Sequence, residues 1–116
     1  QLGKTIMSLL NNGMYAIAKK YGKKAYPAEI GLALESKDGQ AVIRLYDNGV
    51  GIEQSILDKI FDPFFTTKTT GEAAGIGLYL SKEIILNHHG QIAVRSEKDE
   101  LTEFTITLPL WEEKSV

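Results

Sequence analysis

A chain of 116 residues is enough for one domain built around one core. Hydrophobic residues make up 43%, charged residues 24% and the net charge is −2, which suits a globular domain and leaves no charge surplus to steer it to nucleic acid or anionic lipid. There is no cysteine, which excludes a disulfide framework and a thiolate metal site.

No apolar run approaches the ~20 residues of a membrane span, and no signal-peptide pattern is present. The chain opens at Gln1 with no initiator Met, and reads as one domain, 1–116, taken from a longer protein.

In chain order, residues 4–20 predict a helix. Ile6, Leu9, Leu10, Gly13 and Ile17 share one face at spacings of three and four, with Ser8, Asn12, Tyr15 and Lys19 as a polar row beside it. Gly22 and Pro27 bracket a loop. Two strands follow, 28–36 and 41–47, joined by a turn at Lys37-Asp38-Gly39, where Asp-Gly is a hairpin signal. The first strand puts Ile30, Leu32 and Leu34 on one face; the second puts Ala41, Ile43 and Leu45 on one face and Arg44 and Tyr46 on the other.

Residues 53–60 predict a short helix. Residues 61–77 carry no clean periodicity, and a stretch of that length in a compact domain is usually functional. Residues 78–88 predict a second long helix, with Gly90 just beyond its end. Two strands close the pattern, 91–96 and 102–108, the latter setting Phe104, Ile106 and Leu108 against Thr105 and Thr107. Each strand has one apolar and one largely polar face. This favours a two-layer α/β sandwich, its mixed, mainly antiparallel sheet covered by helices on one face.

Three segments carry chemistry. Alternation along the second strand aims Asp47 at the core face with Ile43 and Leu45. A carboxylate placed there is costly unless paired, and a ligand amine is one such partner. Gly49 and Gly51 in Asp47-Asn48-Gly49-Val50-Gly51-Ile52 would let the backbone approach a flat ligand. The same six residues also read as a surface turn. Gly75-Ile76-Gly77 opens the helix that begins near Leu78, where free amides can hold phosphate, or where the glycines merely cap the helix. Asn12, a mediocre helix former, is either an exposed polar side chain or an oxygen donor for Mg²⁺.

In order, these segments resemble the boxes of the histidine kinase ATPase domain, a branch of the GHKL superfamily, over nearly the whole chain. Leu9-Leu10-Asn11-Asn12-Gly13-Met14-Tyr15-Ala16 is similar to the asparagine box, and Asp47 to Ile52 to the first glycine box. Phe61-Asp62-Pro63-Phe64-Phe65-Thr66-Thr67-Lys68 is similar to the phenylalanine box, and Gly75-Ile76-Gly77-Leu78 to the second glycine box. The phenylalanine box favours histidine kinases over topoisomerase, MutL-type and heat-shock relatives.

The resemblance implies the Bergerat ATP-binding fold and binding of Mg-ATP. Asp47 would accept a hydrogen bond from the adenine amine, with Gly49, Gly51 and Ile52 shaping the pocket. Asn12 would hold Mg²⁺. Gly75, Ile76, Gly77 and Leu78 would meet the phosphates, and Lys68 could reach one. Thr66-Thr67-Lys68-Thr69-Thr70-Gly71-Glu72-Ala73-Ala74 would form a lid over the nucleotide, hinged on Phe61, Pro63, Phe64 and Phe65 docked against the body. The γ-phosphoryl group would pass to a histidine on a separate dimerisation helix, so no nucleophile lies on this chain.

The implied partners are that dimerisation domain, a downstream response regulator receiver domain and, in the longer protein, a second copy. The implied setting is the cytoplasmic side of a membrane-bound sensor. A GHKL ATPase or serine kinase, and a degenerate nucleotide-binding module, are the alternatives. The chain departs from the family pattern at Ser8, Tyr15, Ala73 and Ala74. His89-Gly90 resembles the family's helix-ending pair, which is structural.

Overall fold

The computed structural model describes residues 2–22, 27–63 and 76–110, the last of these segments beginning with the backbone alone at Ile76 and Gly77. Seven elements follow one another: α1 (Leu2–Tyr21), β1 (Ile30–Lys37), β2 (Gln40–Asp47), α2 (Gln54–Leu57), α3 (Ile76–Asn87), β3 (Gln91–Glu97) and β4 (Leu101–Pro109). The strands form one sheet in the order β1-β2-β4-β3. The sequence favoured a mixed, mainly antiparallel sheet; the described strands are antiparallel in each pairing, with no parallel pair among them.

The β1–β2 hairpin turns where Asp38-Gly39 stands. Both residues have positive φ, 54° and 77°, which a two-residue hairpin turn matched to strand twist requires. At the end of α3 the left-handed position is taken by His89, φ 64°, rather than by Gly90. Gly90 is needed for room instead: a β-carbon there would lie 2.6 Å from the Thr107 carbonyl oxygen. The helix expected over 53–60 is regular only from Gln54 to Leu57 and continues as tight turns, with Lys59 donating to Ile56 and Asp62 to Lys59 through three-residue steps.

The core lies between the helices and one face of the sheet. Leu9 of α1, Leu78 and Ile85 of α3, Ile60, and Leu45, Phe104 and Ile106 of the central strands are all buried. Removing such side chains from water supplies about 1.5–3 kcal/mol each. The other face is polar: Arg44 pairs with Glu35 at 3.1 Å and Arg95 with Glu103 at 3.3 Å. Coverage by helices on one face is therefore as the strand alternation implied.

β1 is the exception to the burial pattern. Its register sets Leu32 beside Leu45 and Leu34 beside Ile43, on the helix-facing side, yet they are 49% and 67% exposed. Helix α1 comes close to β1 at its first residue, where Gly13 lies against Ile30.

Candidate functional site

Alternation does aim Asp47 inward, as its position in β2 implied: it is 6% exposed. Its direct cross-strand partner on β4 is Thr102, and Thr102's partner on β3 is Ser96. All three are buried polar residues on the face that is otherwise apolar. A polar row thus crosses β2, β4 and β3 at one level, where the core gives way to a cavity of about 590 Å³.

The Asp47 carboxylate accepts from the Gly49 amide at 2.9 Å through Oδ1. Oδ2 faces α1 at Gly13, where a β-carbon would lie 3.2 Å away. Burial raises the Asp47 pKa above the ordinary 3.8, and the Gly49 hydrogen bond only partly offsets this. A buried carboxylate with this balance is what an amine-bearing ligand would repair.

The loop after β2 forms the cavity wall because it is tied at several points. Gly49 packs directly on α1, where a β-carbon would come within 2.6 Å of Ala16 backbone, and Val50 donates to the Ala16 carbonyl at 3.3 Å. Gly51 has φ 73°. Ile52 donates to Ser96 Oγ at 2.8 Å, and Gln54 Nε2 donates to the Ser96 carbonyl at 2.8 Å. Asn48 acts as a brace. Its side chain accepts from the Glu29 amide at 2.7 Å and donates to the Pro27 carbonyl at 2.9 Å, binding the entry of β1 to the end of β2.

Three of the four residues of the polar row read on α1 reach the same cavity: Asn12, Tyr15 and Lys19 line it, whereas Ser8 does not. Their 3–4 residue spacing keeps them on one side of the helix. At the mouth, Lys98 pairs with Glu53 at 2.7 Å; each holds the other charged, lowering the Glu53 pKa and raising that of Lys98. Lys20 Nζ reaches the Asp99 carbonyl at 2.6 Å and so fastens the β3–β4 turn to α1.

Of the residues that the sequence singled out, Asn12, Asp47, Gly51, Ile52 and Leu78 line the cavity, and Gly49 supports it from behind. The backbone of Ile76 and Gly77 opens α3. Lys68, Gly75 and the stretch Thr66 to Ala74 lie outside the described residues, as do Phe64 and Phe65. Phe61 does dock, edge-on to Phe104 with ring centroids 6.4 Å apart, whereas Pro63 is exposed.

Sequence reasoning missed Thr102 and the apolar lining from Val50, Ile56, Ile60 and Phe104, and Ser96, which is hydrogen-bonded to Thr102 behind the lining. Thr102 and Ser96 carried a readable signal. Each continues an apolar alternation, Thr102 before Phe104 and Ile106, and Ser96 after Ile92 and Val94, so each is a polar residue aimed at a core.

Among the described residues there is no group of three or more His, Cys, Asp or Glu that could hold a metal on its own. Nor is any helix among them long and apolar enough to cross a membrane.

Residues 1–112 match the family described as histidine kinase-, DNA gyrase B- and HSP90-like ATPase. Among curated proteins, the signal transduction histidine-protein kinase AtoS of Escherichia coli is 39% identical over 109 residues, 94% of this chain and 17% of that protein. Sporulation kinase D of Bacillus subtilis is 42% identical over 93 residues, 78% of this chain and 18% of that protein. The chain thus spans less than a fifth of these relatives. Among solved structures, the catalytic domain of histidine kinase ThkA superposes with a TM-score of 0.68 at 27% identity, covering 91% of this chain and 66% of that one. The mycobacterial sensor histidine kinase MprB shares the fold, with a TM-score of 0.74 at 23% identity over 92% of this chain and 70% of that one.

Proposed function

We propose, for a chain that belongs to the histidine kinase-, DNA gyrase B- and HSP90-like ATPase family, the role of ATP-binding catalytic domain of a two-component sensor histidine kinase. The observation that carries this reading is the buried Asp47 carboxylate in the lining of a cavity that Asn12 also lines. An ionised carboxylate only accepts hydrogen bonds, so it selects a ligand that presents N–H there, as the adenine amine does. Gly51 and Ile52 border the base. The start of α3, with Ile76, Gly77 and Leu78, offers amides to the phosphates, joined in this reading by Gly75 and Lys68.

Mg²⁺ fits the donor set as a shared ion. It keeps several waters and is commonly held by phosphates with one or two protein oxygens, which suits the single Asn12 amide and the lack of a carboxylate cluster among the described residues. When bound, it would neutralise phosphate charge.

The domain's part in the chemistry is to position and to stabilise charge. The acceptor is a histidine on the dimerisation helix of the same protein. A bond forms from its imidazole nitrogen to the γ-phosphorus, the bond to the ADP oxygen breaks, and the imidazole proton passes to solvent. The phosphoryl group then passes to a response regulator receiver domain. The longer protein is a homodimer whose catalytic part lies on the cytoplasmic side of a membrane.

The test is phosphoryl transfer. The domain is mixed with the histidine-bearing helical domain of its own protein and γ-labelled ATP. Label on the helical domain, absent when its histidine is replaced and absent from the catalytic domain alone, is the expected result. Label on a serine, or hydrolysis without transfer, would overturn it.

A further inference from the structure

Ser96 lies outside the cavity lining, is 2% exposed, and is joined through its hydroxyl to three polar groups. The Ile52 amide nitrogen is 2.8 Å from Oγ, the Leu101 carbonyl oxygen 2.7 Å and Thr102 Oγ1 2.8 Å. A serine hydroxyl has one proton to give and two lone pairs to receive. The Ile52 amide can only donate and the Leu101 carbonyl can only accept. The Ser96 proton therefore points to Leu101, and one lone pair takes the Ile52 proton. The remaining contact, between two hydroxyl oxygens, needs a proton too, and only Thr102 has one left.

The consequence falls on Thr102. With its proton committed to Ser96, Oγ1 presents only lone pairs elsewhere. Thr102 lines the cavity directly across the sheet from Asp47, which is itself acceptor-only when ionised. Two acceptors side by side match the two protons of an exocyclic amine and oppose a carbonyl oxygen in the same place.

We propose that Ser96 is a positioning residue that fixes Thr102 as a hydrogen-bond acceptor, so that the site prefers a 6-aminopurine to a 6-oxopurine nucleotide. The inference rests on the assignment of the cavity to ATP. It differs from a packing role for Ser96 in its prediction. Loss of packing weakens all nucleotides together, whereas loss of hydroxyl polarity changes their ratio. Sites that hydrogen-bond a particular group reject analogues lacking it because buried polar groups are then left opposed or unpaired.

The experiment is a calorimetric comparison of ATP and ITP, which differ at the 6-position, on the wild-type domain and on Ser96→Ala, Ser96→Thr and Thr102→Val. In Ser96→Ala the Thr102 proton is released to meet a 6-oxo group. The ITP-to-ATP ratio of dissociation constants should fall about tenfold, the size of one to two hydrogen bonds. Ser96→Thr keeps the hydroxyl and should keep the ratio. Thr102→Val should lower the ratio, and adding Ser96→Ala to it should change the ratio no further. A ratio unchanged in Thr102→Val, or equal losses for both nucleotides in Ser96→Ala, overturns the proposal. Should Ser96→Ala fail to fold, Thr102→Val decides alone. An Asp47→Asn control separates the two levels: ATP affinity that survives it removes the nucleobase from this site and takes the inference with it, while affinity lost there with an unmoved ratio in the Ser96 and Thr102 variants refutes the inference alone.

Discussion

Gly51 lies directly against the carbonyl oxygen of Glu97, so a β-carbon at Gly51 would collide with that oxygen and sit 2.9 Å from the Lys98 Cα. The two neighbours are backbone, which cannot swing aside as a side chain can. Gly51 also has φ 73°, where an L-residue is strained. Gly51→Ala should therefore push the loop off the β3–β4 turn, destabilising the domain by about 1–3 kcal/mol and lowering nucleotide affinity with it. Denaturant unfolding followed by calorimetric titration checks both effects.

Asn48 and Asp47 are neighbours with opposite duties. Asn48 ties Glu29 and Pro27 to the end of β2 and does not line the cavity. Asn48→Ala should cost about 1 kcal/mol of folding stability, because its two side-chain hydrogen bonds are partly replaced by water. ATP affinity should change by less than about threefold, corresponding to a fraction of one hydrogen bond. Unfolding midpoints and titration of the same protein separate the two quantities.

The raised Asp47 pKa fixes the sign of a pH effect on the ligand-free domain. A carboxyl whose folded pKa lies above its unfolded value favours folding when protonated, and loses that advantage as pH rises through the folded pKa. Above that pKa the wild-type domain carries the full cost of the buried charge. Asp47→Asn keeps an oxygen for the Gly49 amide and carries no charge, so it should be at least as stable at pH 7. The gap should close as pH falls toward 3.8, the ordinary aspartate value. Chemical denaturation of both proteins across this range measures it. Nucleotide binding has the opposite dependence and should weaken as Asp47 takes up its proton.

Asn12→Ala should act on the metal-dependent share of binding. Asn12 lines the cavity but is read as the metal donor rather than a base contact, so ADP without Mg²⁺ should bind about as tightly as to the wild type, while the gain on adding Mg²⁺ shrinks. Titrations with and without Mg²⁺ give the comparison, and an equal loss in both would place Asn12 elsewhere in the site.

Much of this was legible because polar residues interrupted apolar periodicities. Asp47 betrayed itself by falling in step with Ile43 and Leu45, and Asn12, Tyr15 and Lys19 by their shared helical row. Thr102 and Ser96 gave the same sign, but hydroxyls are common in strands and only pairing across the sheet revealed them as a row. Register is a long-range property that alternation within one strand cannot supply. The exposure of Leu32 and Leu34 was hidden for a related reason: periodicity assigns a face, whereas burial depends on whether another element covers it. Left-handed φ at His89 rather than Gly90 likewise depended on Gly90 being needed against Thr107.

The central claim is that the Asp47 carboxylate receives the nucleobase. The most direct measurement is calorimetric titration of a non-hydrolysable ATP analogue with Mg²⁺ into the wild-type domain and Asp47→Asn, with folding of the variant verified beforehand. Replacing one acceptor-only group by an amide removes a charged hydrogen bond of about 1.5–3 kcal/mol and turns an N–H toward the adenine amine. The account predicts an affinity loss of at least about tenfold in a variant that unfolds no more easily than the wild type. Unchanged affinity in the folded variant would contradict it.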